Sequence, residues 1–115
     1  MAFGVKRITN NKIDTDVLKL GDILGCKIIP NEIGWGVDKL QEVECIINDF
    51  VKFDDMYIPT VIFLHDEECI LRLNDKRIKS FEKLGELNNT HILTPYSIHG
   101  YNDINVKVND IRRIK

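Results

Sequence analysis

The stretch Val43 to Leu73, VECIINDFVKFDDMYIPTVIFLHDEECILRL, decides how this chain folds: three apolar runs are separated by two acidic turns, Asp54-Asp55 and Asp66-Glu67-Glu68. Runs of four to eight residues rich in Ile, Val, Phe and Tyr read as successive strands, because branched and aromatic side chains suit a pleated, half-buried surface. Val43, Cys45 and Ile47 alternate with Glu44, Ile46 and Asn48, so an unbroken register would turn Asp49 inward. A bulge near Asn48-Asp49 avoids burying that carboxylate and points Phe50 to the core instead. Tyr57 to His65 is apolar on both faces, which predicts the most central strand, with Pro59 near its start or against an unpaired edge. Cys69 to Leu73 completes the meander, with Arg72 outward.

Working outward toward the N-terminus, Val5 to Ile8 and Lys12 to Val17 flank Asn10-Asn11 and read as a hairpin, since Asn tolerates the positive φ of a tight turn. Gly25 interrupts the apolar run Ile23 to Ile29 as a bulge or bend would, and Pro30 ends that run. In NEIGWGVDKL (31–40), Gly34 and Gly36 bracket the sole tryptophan. Trp35 either plugs one end of the sheet or stands exposed as a partner's anchor.

Toward the C-terminus, Ile78, Phe81 and Leu84 recur three apart in NDKRIKSFEKLGEL (74–87), with Asn74 or Asp75 as cap and Gly85 as stop. That spacing predicts one short helix near 75–84, the rival being a hairpin, LRL-NDKR-IKSF. His91 to Ile98, broken by Pro95, then Ile104 to Val108 and Ile111 to Ile114, read as short closing strands. The stretches LKLGDIL (18–24) and VNDIRRIK (108–115) are similar to SH3-like barrels. The expected architecture is therefore mainly β: a small, strongly bent antiparallel sheet or partly open SH3-like barrel with one short helix, in a single domain spanning 1–115.

Composition is that of an ordinary soluble globular protein: 115 residues, 43% hydrophobic and 30% charged, with no apolar run of the length that crosses a bilayer and no apolar signal-peptide core. A cytoplasmic location follows, the host's cytoplasm if the chain is phage-encoded, and no membrane partner is expected. Cys26, Cys45 and Cys69 sit singly in apolar runs without CxxC spacing and read as reduced core thiols. Seventeen Ile, ten Asn and eleven Lys against five Arg point to an AT-rich genome of bacterial or phage type.

Enzymatic readings need a constellation, and none emerges. His65-x3-Cys69 and His91-x7-His99 match no compact zinc site, so neither metal nor cofactor is expected. Cys69 heads an apolar run that would raise its pKa rather than activate it toward a His65 base. Gly34 and Gly36 are followed by no phosphate-cradling sequence. A small enzyme using His65, His91 or His99 is the weakest of three functional alternatives.

Charge is the sharper signal. Residues 31–68 hold two Lys/Arg against ten Asp/Glu, whereas 69–115 hold nine against five. Such polarity steers partners of opposite sign. The favoured expectation is a non-enzymatic protein-binding domain, an accessory or counter-defence inhibitor of a phage or mobile element, that engages a basic protein such as a nucleic-acid enzyme. Its partner-binding residues are Trp35, Asp54, Asp55, Asp66, Glu67 and Glu68. A meander carries the two acidic turns to opposite ends of the sheet, so only one of them can be the binding edge. The alternative, a nucleic-acid-binding barrel, would use Lys76, Arg77, Lys79, Lys83, Arg112 and Arg113, with interspersed acids against it. The edge strand Cys69 to Leu73 can also pair between two copies, giving a homodimer.

Overall fold

The apolar runs form strands throughout the computed structural model, which describes residues 7–8, 14–87 and 104–113. In chain order these are β1 (Arg7–Ile8), β2 (Val17–Lys19), β3 (Asp22–Ile28), a 3-10 turn (Pro30–Ile33), β4 (Gln41–Phe53), β5 (Met56–Phe63), β6 (Asp66–Arg72), β7 (Ser80–Leu87), β8 (Asn105–Lys107) and a short helix α1 (Val108–Arg113). The main sheet has the order β1-β7-β3-β4-β5-β6, antiparallel at every pairing, and β2 pairs with β8 in a second, two-stranded sheet.

The central meander follows its sequence pattern. The β4–β5 ladder runs from Cys45 opposite Phe63 to Phe53 opposite Met56 and shifts register between Ile47 and Asp49, where the buried carboxylate would otherwise fall. Phe50 is thereby turned into the core, Asp49 stays half-buried, and the Asn48 amide oxygen accepts a 2.9 Å bond from Thr60 Oγ1. Pro59 sits where the β6 ladder ends: pairing with β6 begins at Thr60, and the Leu73 N–H donates to the Pro59 carbonyl at 2.8 Å.

The main sheet is bent without closing into a barrel. β6 and β7 lie on opposite sides of it, yet residues 73–79 join them through two tight turns, Asp75 N–H to the Arg72 carbonyl (2.9 Å) and Ile78 N–H to the Asp75 carbonyl (3.0 Å). Four inter-strand spacings of about 4.8 Å would separate them by about 19 Å in a flat sheet, too far for a connection folded on itself. Bending the sheet brings the two sides within its reach. Leu18 of β2, Val106 of β8 and Ile111 of α1 join Ile23, Leu24, Ile46, Ile62 and Phe63 of the main sheet in one buried hydrophobic cluster. LKLGDIL and VNDIRRIK, the stretches similar to SH3-like barrels, thus come together at the β2–β8 pair, where Val108 N–H also donates to the Asp16 carbonyl.

Three expectations are corrected. The helix near 75–84 is absent; turns at 73–77 lead into β7, and the α-helix among the described residues is α1, over residues read as a closing strand. Three-residue spacing fits helix and strand alike in a short window, and the exposed edge of β3 supplies a ladder that an isolated helix would lack. The rival hairpin fails too, because β7 pairs with β3 and not with β6. β5, apolar on both faces, lies next to the edge strand β6, since β7 joins beyond β3 and shifts the centre to β3–β4. The expected N-terminal hairpin falls mostly outside the described residues, its Asn10-Asn11 turn included; of its described parts, β1 pairs with β7 and Val17 of β2 with Lys107 of β8.

Candidate functional site

The two acidic clusters stand at opposite ends of β5, and the fold uses them differently: Asp54-Asp55 is a turn, whereas Asp66-Glu67-Glu68, read as one from sequence, lies in β6. At the β5–β6 end, Leu64 and His65 make the turn and Asp66 opens β6. Asp66 Oδ2 accepts a 3.1 Å bond from Trp35 Nε1, and Oδ1 accepts one from the Glu68 N–H at 3.2 Å. The Trp35 ring stands edge-on to Phe63 (centroids 5.4 Å, 84°) and to His65 (4.2 Å, 67°). Its loop is closed by Asn31 N–H to the Val37 carbonyl and by the Asn31 amide on Asp38 Oδ1, 2.8 Å, while Glu32 reaches Lys79 Nζ at 2.9 Å. Gly34 and Gly36, at φ 89° and 76°, supply the left-handed backbone that folds the indole back. Trp35 is accordingly half-buried against the core as a plug, and Asp66 holds it there. Glu68 is exposed; the Glu67 side chain lies outside the described residues.

At the β4–β5 end, the neighbours stop short. β3 follows β4 only as far as Ile46, with one further bond from Gly21 N–H to the Ile47 carbonyl, and β6 reaches β5 only at Pro59–Thr60. Beyond those points β4 and β5 pair only with each other in the main sheet. Their tip is a two-residue turn, Asp54-Asp55, with Asp54 at φ 54°. Phe53 (54% exposed) faces Met56 (38% exposed) across the ladder, and Lys52, Asp54 and Asp55 are exposed beside them. Among the described residues, the side chains of Phe53, Asp54, Asp55 and Met56 make no hydrogen bond or ion pair.

The basic residues do not assemble into one surface. Lys76, Arg77 and Lys79 lie together on the β6–β7 connection. Arg77 grips Asp75 through Nε and Nη2 (2.9 and 2.8 Å), which holds the Asp75 carboxyl below its usual range, and Lys79 is paired with Glu32. Lys83 is buried: its Nζ lies 3.2 Å from Asp22 Oδ2, 3.0 Å from Glu86 Oε1 and 3.1 Å from the Val17 carbonyl. The Arg112 and Arg113 side chains lie outside the described residues.

The Asp22–Lys83 pair was invisible to the helix reading of 74–87, which placed Lys83 on a solvated face. Strand alternation carries the signal, because it puts Lys83 on the same face as Phe81, opposite Leu24 and Cys26 of β3. Asp22 is fully buried, and although the Lys19 N–H donates to its Oδ2 at 2.8 Å, Oδ1 has no hydrogen-bond partner among the described residues. Burial pushes its carboxyl from 3.8 up to about 6, against the opposing pull of the Lys19 N–H and the Lys83 ammonium.

No catalytic or metal constellation forms among the described residues. No group of three His, Cys, Asp or Glu is placed to hold an ion, His65 is exposed against Trp35, and His91 and His99 lie outside the described residues. Cys26 and Cys45 are buried with their sulfurs 3.1 Å apart, and burial raises the Cys45 thiol well above its ordinary value. Cys69 is half-buried, its pKa raised by burial and by Asp66, the reverse of what a nucleophile requires. No described helix is long and apolar enough to cross a membrane. Set against protein-family models, curated proteins and solved structures, the chain matches none.

Proposed function

We propose that this is a non-catalytic protein-binding domain whose docking element is the tip of the β4–β5 arm. The observation that carries the reading is the unflanked tip itself: Phe53 and Met56 exposed as a cross-strand pair, with Asp54 and Asp55 beside them and no partner for any of the four side chains among the described residues. An isolated two-stranded ribbon gains little stability in water, so exposed apolar groups at its end add nothing to the fold. They suit an apolar pocket rimmed by Lys or Arg, in which the aromatic ring supplies contact area and the aspartates supply steering. A basic nucleic-acid enzyme blocked at its charged groove is a partner of that chemistry. Chain length and composition favour an accessory or counter-defence role in a phage or mobile element.

The test is affinity capture with the full chain from its host, repeated with Phe53→Ala, with the double variant Asp54→Lys/Asp55→Lys, and with Glu68→Lys at the opposite end. A partner that is retained at low salt, weakens as salt rises and is lost with either tip variant while surviving Glu68→Lys is the expected result. Binding that ignores the tip and fails with Glu68→Lys would move the interface to the Trp35 end. Recovery of no macromolecular partner at all would sink the reading.

A further inference from the structure

A second feature stands apart from the arm. Between the β6–β7 connection, the start of β7 and α1 lies a cavity of about 620 Å³, within the range of small-molecule pockets. Leu73, Ile78, Phe81 and Ile111 give it an apolar lining, and Asn74, Asp75 and Ser80 line it as polar residues. It shares Lys76 and Lys79 with an adjoining recess of about 400 Å³ that Arg77 and Glu32 complete. Apolar and basic walls therefore meet along one line.

The charges around that line are unequally engaged. Asp75 is held by the two-pronged Arg77 contact, and Glu32 is held by Lys79. Lys76 alone of the three cations forms no side-chain ion pair among the described residues, and it is exposed. The Lys76 ammonium, which helps Arg77 draw down the Asp75 carboxyl but makes no contact-distance ion pair, thus stands beside a partly apolar cavity, in a protein whose net charge is -2. Desolvating an apolar chain in the cavity while placing an anion in direct contact with the exposed Lys76 ammonium satisfies both walls at once.

We infer that the cavity lined by Leu73, Ile78, Phe81 and Ile111 is a binding site for a small amphipathic anion, an apolar chain or ring bearing one carboxylate, with Lys76 and Ser80 receiving the carboxylate at the mouth. The inference is independent of the arm and of what the arm binds.

Decanoate below its micellar concentration is a suitable probe, followed by methyl resonances in the full chain labelled at Ile and Leu. Shifts at Leu73, Ile78 and Ile111 that saturate at one equivalent are expected. Loss of one charge-assisted contact should weaken binding about tenfold in Lys76→Glu, and decanol should bind more weakly than decanoate by a similar factor. Lys39→Glu, on the exposed loop before β4, should leave the affinity unchanged. Lys76 is exposed, so its variant should fold, which an unchanged thermal midpoint verifies. Unsaturable or scattered shifts, equal binding of decanol, or indifference to Lys76→Glu each overturn the site. Capture by anionic phospholipid vesicles that decanoate cannot compete away would overturn it as well, by assigning the basic rim to a lipid surface.

Discussion

The two ends of β5 look alike in sequence, each an acidic pair or triplet between apolar runs, and they are opposites in the fold. Asp66 is consumed internally, one oxygen on the Trp35 indole and the other on the Glu68 amide. Asp54 and Asp55 cap a ribbon that neither β3 nor β6 follows to its end, with Phe53 and Met56 exposed beside them. A carboxylate becomes structural where the backbone delivers a donor to it, and remains available where the strands around it run out. Acidity alone therefore does not mark a binding surface; the proposed docking element is the acidic turn whose side chains are left unpaired among the described residues.

Truncating the aromatic group at each end is the most forceful way to break this contrast. Trp35→Ala removes a half-buried indole from Phe63 and His65 together with the Asp66 bond, and should lower unfolding free energy by about 3 kcal/mol. Phe53→Ala should cost at most about 0.5 kcal/mol. Denaturant unfolding of the two variants decides it: a large loss at Phe53 would mean that the tip is packed, and the proposed docking element would fall.

Asp22 sharpens the distinction between charge spent inside and charge left free. Its folded pKa of about 6 lies above the unfolded value near 3.8, so it favours the folded state most below pH 3.8 and that contribution is lost as pH rises through about 6. The stability difference between wild type and Asp22→Asn should therefore shift against wild type between pH 4 and 7, by up to about 3 kcal/mol, since each pKa unit is worth about 1.4 kcal/mol. Lys83 retains Glu86 and the Val17 carbonyl when Asp22 is neutral, which keeps the cluster intact through the titration. A pH-independent difference would show that the pair stays ionised throughout.

The smallest effects separate the acids themselves. Asp66→Ala should cost about 1 kcal/mol for the lost bond to Trp35, whereas Asp54→Gly should stabilise by about 0.5–1 kcal/mol, because glycine adopts φ 54° without the clash a Cβ brings. Thermal midpoints moving in opposite directions are the expected readout. Midpoints that fall together would erase the difference between the two turns.

Local pattern was sufficient for the strands of the meander, the bulge at Asn48-Asp49, the inward turn of Phe50 and the separation of the acidic turns to opposite ends of β5. Each follows from side-chain period and from the cost of burying a carboxylate, quantities that a single strand and its neighbours settle. What pairs with what across long sequence separations lay beyond it. Ile78, Phe81 and Leu84 fit a helix until β3 offers a vacant edge, and Lys83 reads as a surface charge until that pairing sets it 3.2 Å from Asp22. The same holds for the acidic turns. Their composition and their positions along the chain were determined by the sequence alone, but only the tertiary structure decided that Asp66 meets an indole 31 residues away while Asp54 and Asp55 meet no side-chain partner among the described residues, because a hydrogen bond depends on which distant donor the fold delivers.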